Sequence, residues 1–185
     1  MSLTPSNMLP LGTPAPYFEL LDVVTGRMIE LNTPEMYTGT LVMFICNHCP
    51  YVKHVQPELV KLTEEYYTKN FNFYAISSND IEEYPQDRPE LMRKEALKWG
   101  YQFPYLFDET QAVAKAYDAA CTPDFFLFDK HMKLMYRGQL DGSRPGNDVE
   151  LNGVDLRNAM NDLINDVPVN ANQMPSQGCN IKWKV

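Results

Sequence analysis

An α/β fold with a central mixed β-sheet flanked by helices is predicted by three observations. The runs LVMFI (41–45) and FNFYAIS (71–77) are short and continuously apolar, as strands buried on both faces are. Between them, Val52, Val55, Leu59, Leu62 and Tyr66 recur at steps of three and four, the period of one helix face. A third apolar run, DFFLFD (124–129), leads through the turn Asp129-Lys130-His131 into the alternating KLMYRGQL (133–140), the pattern of an antiparallel hairpin.

The remaining elements follow in chain order. YFELLDVVTGRMIELN (17–32) reads as an N-terminal β-hairpin around Thr25-Gly26. LVMFI then gives way to a helix from Pro50 to Tyr67, with Pro57 inside it as an expected kink. After FNFYAIS come the helix RPELMRKEALKWG (88–100), ended by Gly100, and the shorter helix ETQAVAKAYDA (109–119). VDLRNAMNDLIND (154–166) is the final helix, and residues 167–185 show no clear periodicity. Parallel pairing of LVMFI with FNFYAIS through the intervening helix requires a right-handed crossover. The expected organisation is one domain over 1–166 and a C-terminal tail over 167–185 that carries Cys179.

Composition narrows the function. The net charge is −8, and the 16 Lys and Arg residues form no basic block, so neither nucleic acid nor an anionic membrane is an expected partner. No secretory signal or membrane-spanning helix is expected, because the longest apolar runs fall far short of the roughly 20 residues that cross a bilayer. With 4 cysteines in 185 residues a disulfide scaffold is not expected either. The predicted setting is cytoplasmic, with the thiols free, catalytic or metal-bound.

The chemistry centres on CNHCPYVKH (46–54). A cysteine at the first turn of a helix faces unpaired backbone N–H groups and the positive end of the helix dipole, both of which favour thiolate. Cys49 is the predicted N-cap, with Pro50 in the first helical position, where its missing N–H costs nothing. The pKa of Cys49 is expected below the free value of about 8.5. A protonated His48 and Lys53 would push it the same way. Cys46 stands three residues earlier, at the expected end of the strand. The plainer alternative is a pair of small buried hydrophobes.

Three stretches, GTPAPYFELLDVVTG (12–26), LVMFICNHCPYVKHVQP (41–57) and CTPDFFLFD (121–129), make the chain resemble the thioredoxin superfamily, in its AhpC/TSA, peroxiredoxin-like branch. The resemblance covers roughly residues 10 to 165 and implies a thioredoxin-like fold with an N-terminal β-hairpin extension. Setting Pro57 on the kinking proline of that family places Cys49 on its nucleophilic cysteine, His48 on the preceding Trp and Val52 on the resolving cysteine. CNHC therefore shares the spacing of the thioredoxin CxxC but stands three residues out of register. Peroxiredoxins carry their peroxidatic cysteine where Val52 stands, in a PxxxTxxC or PxxxSxxC context; counted back from Cys49, the matching Pro and Thr or Ser positions are Val42 and Cys46, so the standard peroxidase constellation is absent.

The resemblance further implies a cis Pro123, with Thr122 presenting its backbone to the Cys49 sulfur and to an extended substrate strand. Cys121, two residues before that proline, becomes a candidate resolving thiol or a buried structural cysteine. Cys179 is either a swinging thiol or part of a strand or coil packed over the domain. Arg144 reads as a surface-loop residue and His131 as exposed. The leading functional expectation is a thiol–disulfide oxidoreductase, a peroxiredoxin-like antioxidant protein. In it Cys49 attacks, Cys46 resolves, no cofactor or metal is required, and the partners are a protein or small-molecule disulfide and a thiol reductant. The alternatives are a copper or zinc site on Cys46 and Cys49 with His48 or His54, with or without Cys121, and a thioredoxin-fold scaffold without turnover.

Overall fold

The computed structural model describes residues 3–31 and 36–185. Asn32, the last residue of the expected N-terminal hairpin, lies outside them. Ten strands and four helices run in the order β1 (Leu3–Pro5), β2 (Glu19–Asp22), β3 (Met28–Glu30), β4 (Gly39–Phe44), α1 (Pro50–Tyr67), β5 (Phe71–Ser77), α2 (Pro89–Trp99), β6 (Tyr105–Phe107), α3 (Ala112–Ala116), β7 (Cys121–Thr122), β8 (Asp124–Asp129), β9 (Leu134–Gly138), α4 (Val154–Ile164) and β10 (Gln177–Asn180). The main sheet has the order β3-β2-β6-β5-β4-β8-β9. Pairing is parallel for β4 with β5 and for β5 with β6, and antiparallel elsewhere. This is the mixed sheet expected from the apolar runs.

Strand β4 lies inside the sheet, between β5 and β8, and every one of its residues is buried. Its side chains alternate between two apolar layers. Leu41 and Met43 face the layer with Val52 and Leu59 of α1, Met92 of α2 and Leu156 of α4. Val42 and Phe44 face the other, with Val113 and Ala114 of α3 and the ring of Tyr117. A two-sided core of this kind requires the continuous apolar run that made the strand legible.

The N-terminal hairpin turns at Gly26, whose positive φ of 73° suits the turn. Asp22 ties the turn down by accepting the Thr25 hydroxyl at 2.6 Å and the Thr25 and Val24 amides. Pro57 lies inside α1 as expected. Four strands were not placed by the sequence, although a strand was one reading of the segment around Cys179. Of these β6 is three residues long, while β1, β10 and β7 form a second small sheet in that order. In it Cys179 pairs with Leu3 on one side and with Thr122 on the other. The structure holds Cys179 in a packed strand, one of the two readings given for it.

Candidate functional site

Strand β4 stops at Phe44, Ile45 adds one more bond to Ile76 O, and the chain then runs over the end of the sheet to α1. Cys46 is therefore two residues beyond the strand, a small correction to its expected place. Cys49 is the N-cap of α1, with extended backbone (φ −67°, ψ 124°) and Pro50 following it. The Thr122–Pro123 peptide facing it is cis.

All four cysteines are free and buried, Cys49 and Cys121 at 0% exposure, Cys46 at 2% and Cys179 at 3%. Their surroundings differ. Cys49 Sγ lies 3.2 Å from Thr122 O, while Cys46 Sγ lies 3.4 Å from the Thr122 hydroxyl. The thiols of Cys46 and Cys179, together with the N–H groups of Val52 and Cys179, favour charge on the Cys49 sulfur. Cys121 donates to Pro123 O at 3.7 Å. Thr122 is thus the hub: its side chain meets one thiol, its carbonyl another, and its strand pairs with a third.

The electrostatics single out one sulfur. Donation from Cys46, the largest influence, and then from Cys179 lowers the Cys49 pKa to about 5 against the cost of burial. The same hydrogen bond, with burial and the negative charge of Asp87, raises Cys46 well above the ordinary thiol range. Burial first, and then the bond to Cys49, pushes Cys179 up to about 12. Burial and the Asp124 carboxylate raise Cys121. The expected thiolate is favoured, in part by an anticipated helix-end amide, that of Val52, and more strongly by the Cys46 thiol, which was not anticipated as a donor. Lys53 is exposed, and His48 is turned to a carboxylate that sequence reading missed.

That carboxylate is Asp87, fully buried at the end of a 3-10 turn over Pro85–Asp87. It accepts His48 Nδ1 at 2.6 Å, Asn79 Nδ2 at 2.8 Å and the Asn47 backbone N–H at 2.8 Å. The imidazole also stacks on Tyr84, with ring centroids 5.2 Å apart. Asp87 thereby clamps the CNHC loop to the β5–α2 connection. The only local cue was the acidic, proline-bearing stretch NDIEEYPQD, which carries no recognisable spacing.

Cys46, His48 and Asp87 form the one group of potential metal ligands found among the described residues, with ligand atoms within 4.8 Å of one another. Three donors already occupy the Asp87 carboxylate, so a cation there would have to displace the clamp. His54, the other histidine considered as a ligand, points elsewhere and bonds Ser143 Oγ at 2.8 Å. Arg144 is held within its own loop by Gln139, Asp141 O and Ser143 O, and His131 is exposed. A cleft with room for about 10 Å³ lies beside Pro123, lined also by Tyr51, His54, Arg144 and Gln177, and none of the four cysteines lines it.

The sheet order, with a proline loop facing the head of the first long helix, is that of a thioredoxin-fold protein. Within that class the chain belongs to the AhpC/TSA family, whose family model matches residues 11–137. It is 54% identical to an uncharacterized conserved protein from Geobacillus kaustophilus, with a TM-score of 0.97, covering 100% of this chain and 97% of that one. A hypothetical protein from Sinorhizobium meliloti 1021 is 43% identical, with a TM-score of 0.95 and coverage of 98% and 99%. The thioredoxin domain of a thiol-disulfide oxidoreductase from Bacteroides vulgatus, at 22% identity and a TM-score of 0.60, shares the fold over 80% of this chain and 97% of that one. No curated protein matches the chain. No described helix is long and apolar enough to cross a membrane.

Proposed function

We propose that the protein is a thiol–disulfide oxidoreductase in which Cys49 is the nucleophile and Cys46 the resolving thiol. The observation that carries this reading is the inequality among four neighbouring thiols: one is held near pKa 5 and the others are pushed upward. At neutral pH one thiolate stands among three protonated thiols, two of which, Cys46 and Cys179, donate to it, the arrangement an attacking sulfur requires.

The reaction balances without a cofactor. The Cys49 thiolate attacks one sulfur of a substrate disulfide, forming a mixed disulfide and expelling one thiolate, which takes up a proton. Cys46 then attacks the Cys49 sulfur, giving its own proton to the second departing thiol. The products are a Cys46–Cys49 disulfide and two substrate thiols, and an external dithiol reductant reverses the oxidation. Once Cys49 is bonded to substrate, its charge is gone. The hydrogen bond that most raises the Cys46 pKa goes with it, so Cys46 becomes easier to ionise at the step that needs it.

Antioxidant action in this reading is the repair of oxidised thiols in a reducing, cytoplasmic setting. The partners are protein or small-molecule disulfides and a thiol reductant. The test is mass spectrometry after oxidation and thiol trapping, paired with disulfide-reduction assays. A Cys46–Cys49 linkage is expected, and Cys49→Ser is expected to lose all reduction. Reduction persisting in Cys49→Ser would overturn the assignment. Hydrogen peroxide consumption abolished by the same substitution would extend the substrates to peroxides.

A further inference from the structure

Strand β10 covers the Cys49 sulfur, so a substrate that reaches it along the Thr122 edge has to take the place of β10. It pairs antiparallel with β7, Cys179 opposite Thr122 and Asn180 opposite Cys121. The Cys179 thiol and amide are both directed at the Cys49 sulfur, which has no exposed surface. The fit is tight at Gly178. A Cβ built there would fall 1.9 Å from Thr122 O, 2.7 Å from its carbonyl carbon and 3.3 Å from Pro123 Cδ. Ser176 fastens the start of the strand by donating to Pro123 O at 2.6 Å, and its amide donates to Ser6 Oγ at 3.0 Å.

We propose that Gln177–Asn180 is a tethered pseudo-substrate, and that the external substrate is an extended polypeptide disulfide with glycine immediately before its reactive cysteine. This rests on the oxidoreductase reading and adds both a specificity and a gate. A polypeptide that supplies backbone pairing to Thr122 must displace β10 and must meet the same steric limit that Gly178 meets. The edge therefore selects Gly-Cys over Ala-Cys. It also keeps Cys49 closed to partners that cannot compete for the ladder.

The probe is a peptide of residues 176–182, SQGCNIK, with its cysteine in a disulfide to thionitrobenzoate, beside SQACNIK prepared in the same way. Attack by the Cys49 thiolate on the peptide sulfur forms the protein–peptide disulfide and releases the coloured thiolate, whose appearance gives the rate. In Gly178→Val, where β10 cannot stay seated, release is expected to be at least about tenfold faster than in the wild-type chain, because the open state no longer has to be populated first. In both proteins the Gly-Cys peptide is expected to outrun Ala-Cys by at least about tenfold. Equal rates for the two proteins, or for the two peptides, would overturn the proposal while leaving the oxidoreductase reading intact. No release from either protein, despite alkylation of Cys49 by iodoacetamide, would remove the oxidoreductase reading itself.

A second measurement avoids dependence on the folding of Gly178→Val. In the Cys46→Ser, Cys121→Ser, Cys179→Ser triple variant no protein thiol is left to resolve the peptide disulfide. Hydrogen exchange at residues 177–180 should then accelerate on peptide attachment. Protection retained there with peptide bound would show that β10 does not share the site.

Discussion

At the scale of single residues, the site depends on which sulfur carries the charge. A Cys49 pKa of about 5 means its alkylation rate should fall as pH drops through that value and level off above it. Rate measurements from pH 4 to 8 check this, and a midpoint near the free thiol value of about 8.5 would contradict it. Asp124 carries a second titration. Burial raises its pKa to about 7, and one oxygen accepts Ser6 Oγ at 2.6 Å. In the unfolded chain the same carboxyl ionises near 3.9, so between those values the folded protein holds the extra proton and stability falls as pH rises. The loss is complete above about pH 7 and amounts to at most about 4 kcal/mol. Asp124→Asn should flatten that slope, which denaturation midpoints at pH 5 and pH 8 would show.

At the scale of elements, what could be read beforehand was what sequence period expresses. LVMFI, FNFYAIS and DFFLFD announced β4, β5 and β8 because strands buried on both faces leave an unbroken apolar run. Cys49 was legible because Pro50 and the helix period fixed the N-cap. Strand β6 was not, since Tyr-Leu-Phe is too short to show a period. Strands β1 and β10 are held by backbone pairing between distant segments, and QGCN carries no pattern that would announce a strand. Asp87 escaped notice for the same reason, its meaning residing in a contact with His48 across 39 positions. Gly138 closes β9 with φ 140°, and a Cβ there would sit 2.1 Å from Met174 O. Gly138→Ala is accordingly expected to destabilise the fold by more than about 2 kcal/mol. Urea denaturation measures it, and a change within 0.5 kcal/mol either way, roughly that of a neutral surface substitution, would refute it.

At the scale of the whole molecule, the small sheet joins the two ends of the described chain over the thiols. Leu3–Pro5 is its outer strand and leaves the main sheet untouched. A protein shortened by residues 1–5 should therefore keep the thioredoxin fold and bind β10 less firmly. Circular dichroism should stay native-like, while the amides of residues 177–180 exchange faster and Cys49 is alkylated sooner. Unchanged protection of β10 would show that β7 alone suffices to hold it.

The Ser6–Ser176 bond spans 170 positions and stands at the join between the outer and middle strands of that sheet. On a growing chain, Cys49 and the proline loop are complete long before β10 has been made. Closure over the reactive sulfur thus has to wait for residues 177–180, and until they are made a nascent chain presents that sulfur uncovered to whatever disulfides surround the ribosome.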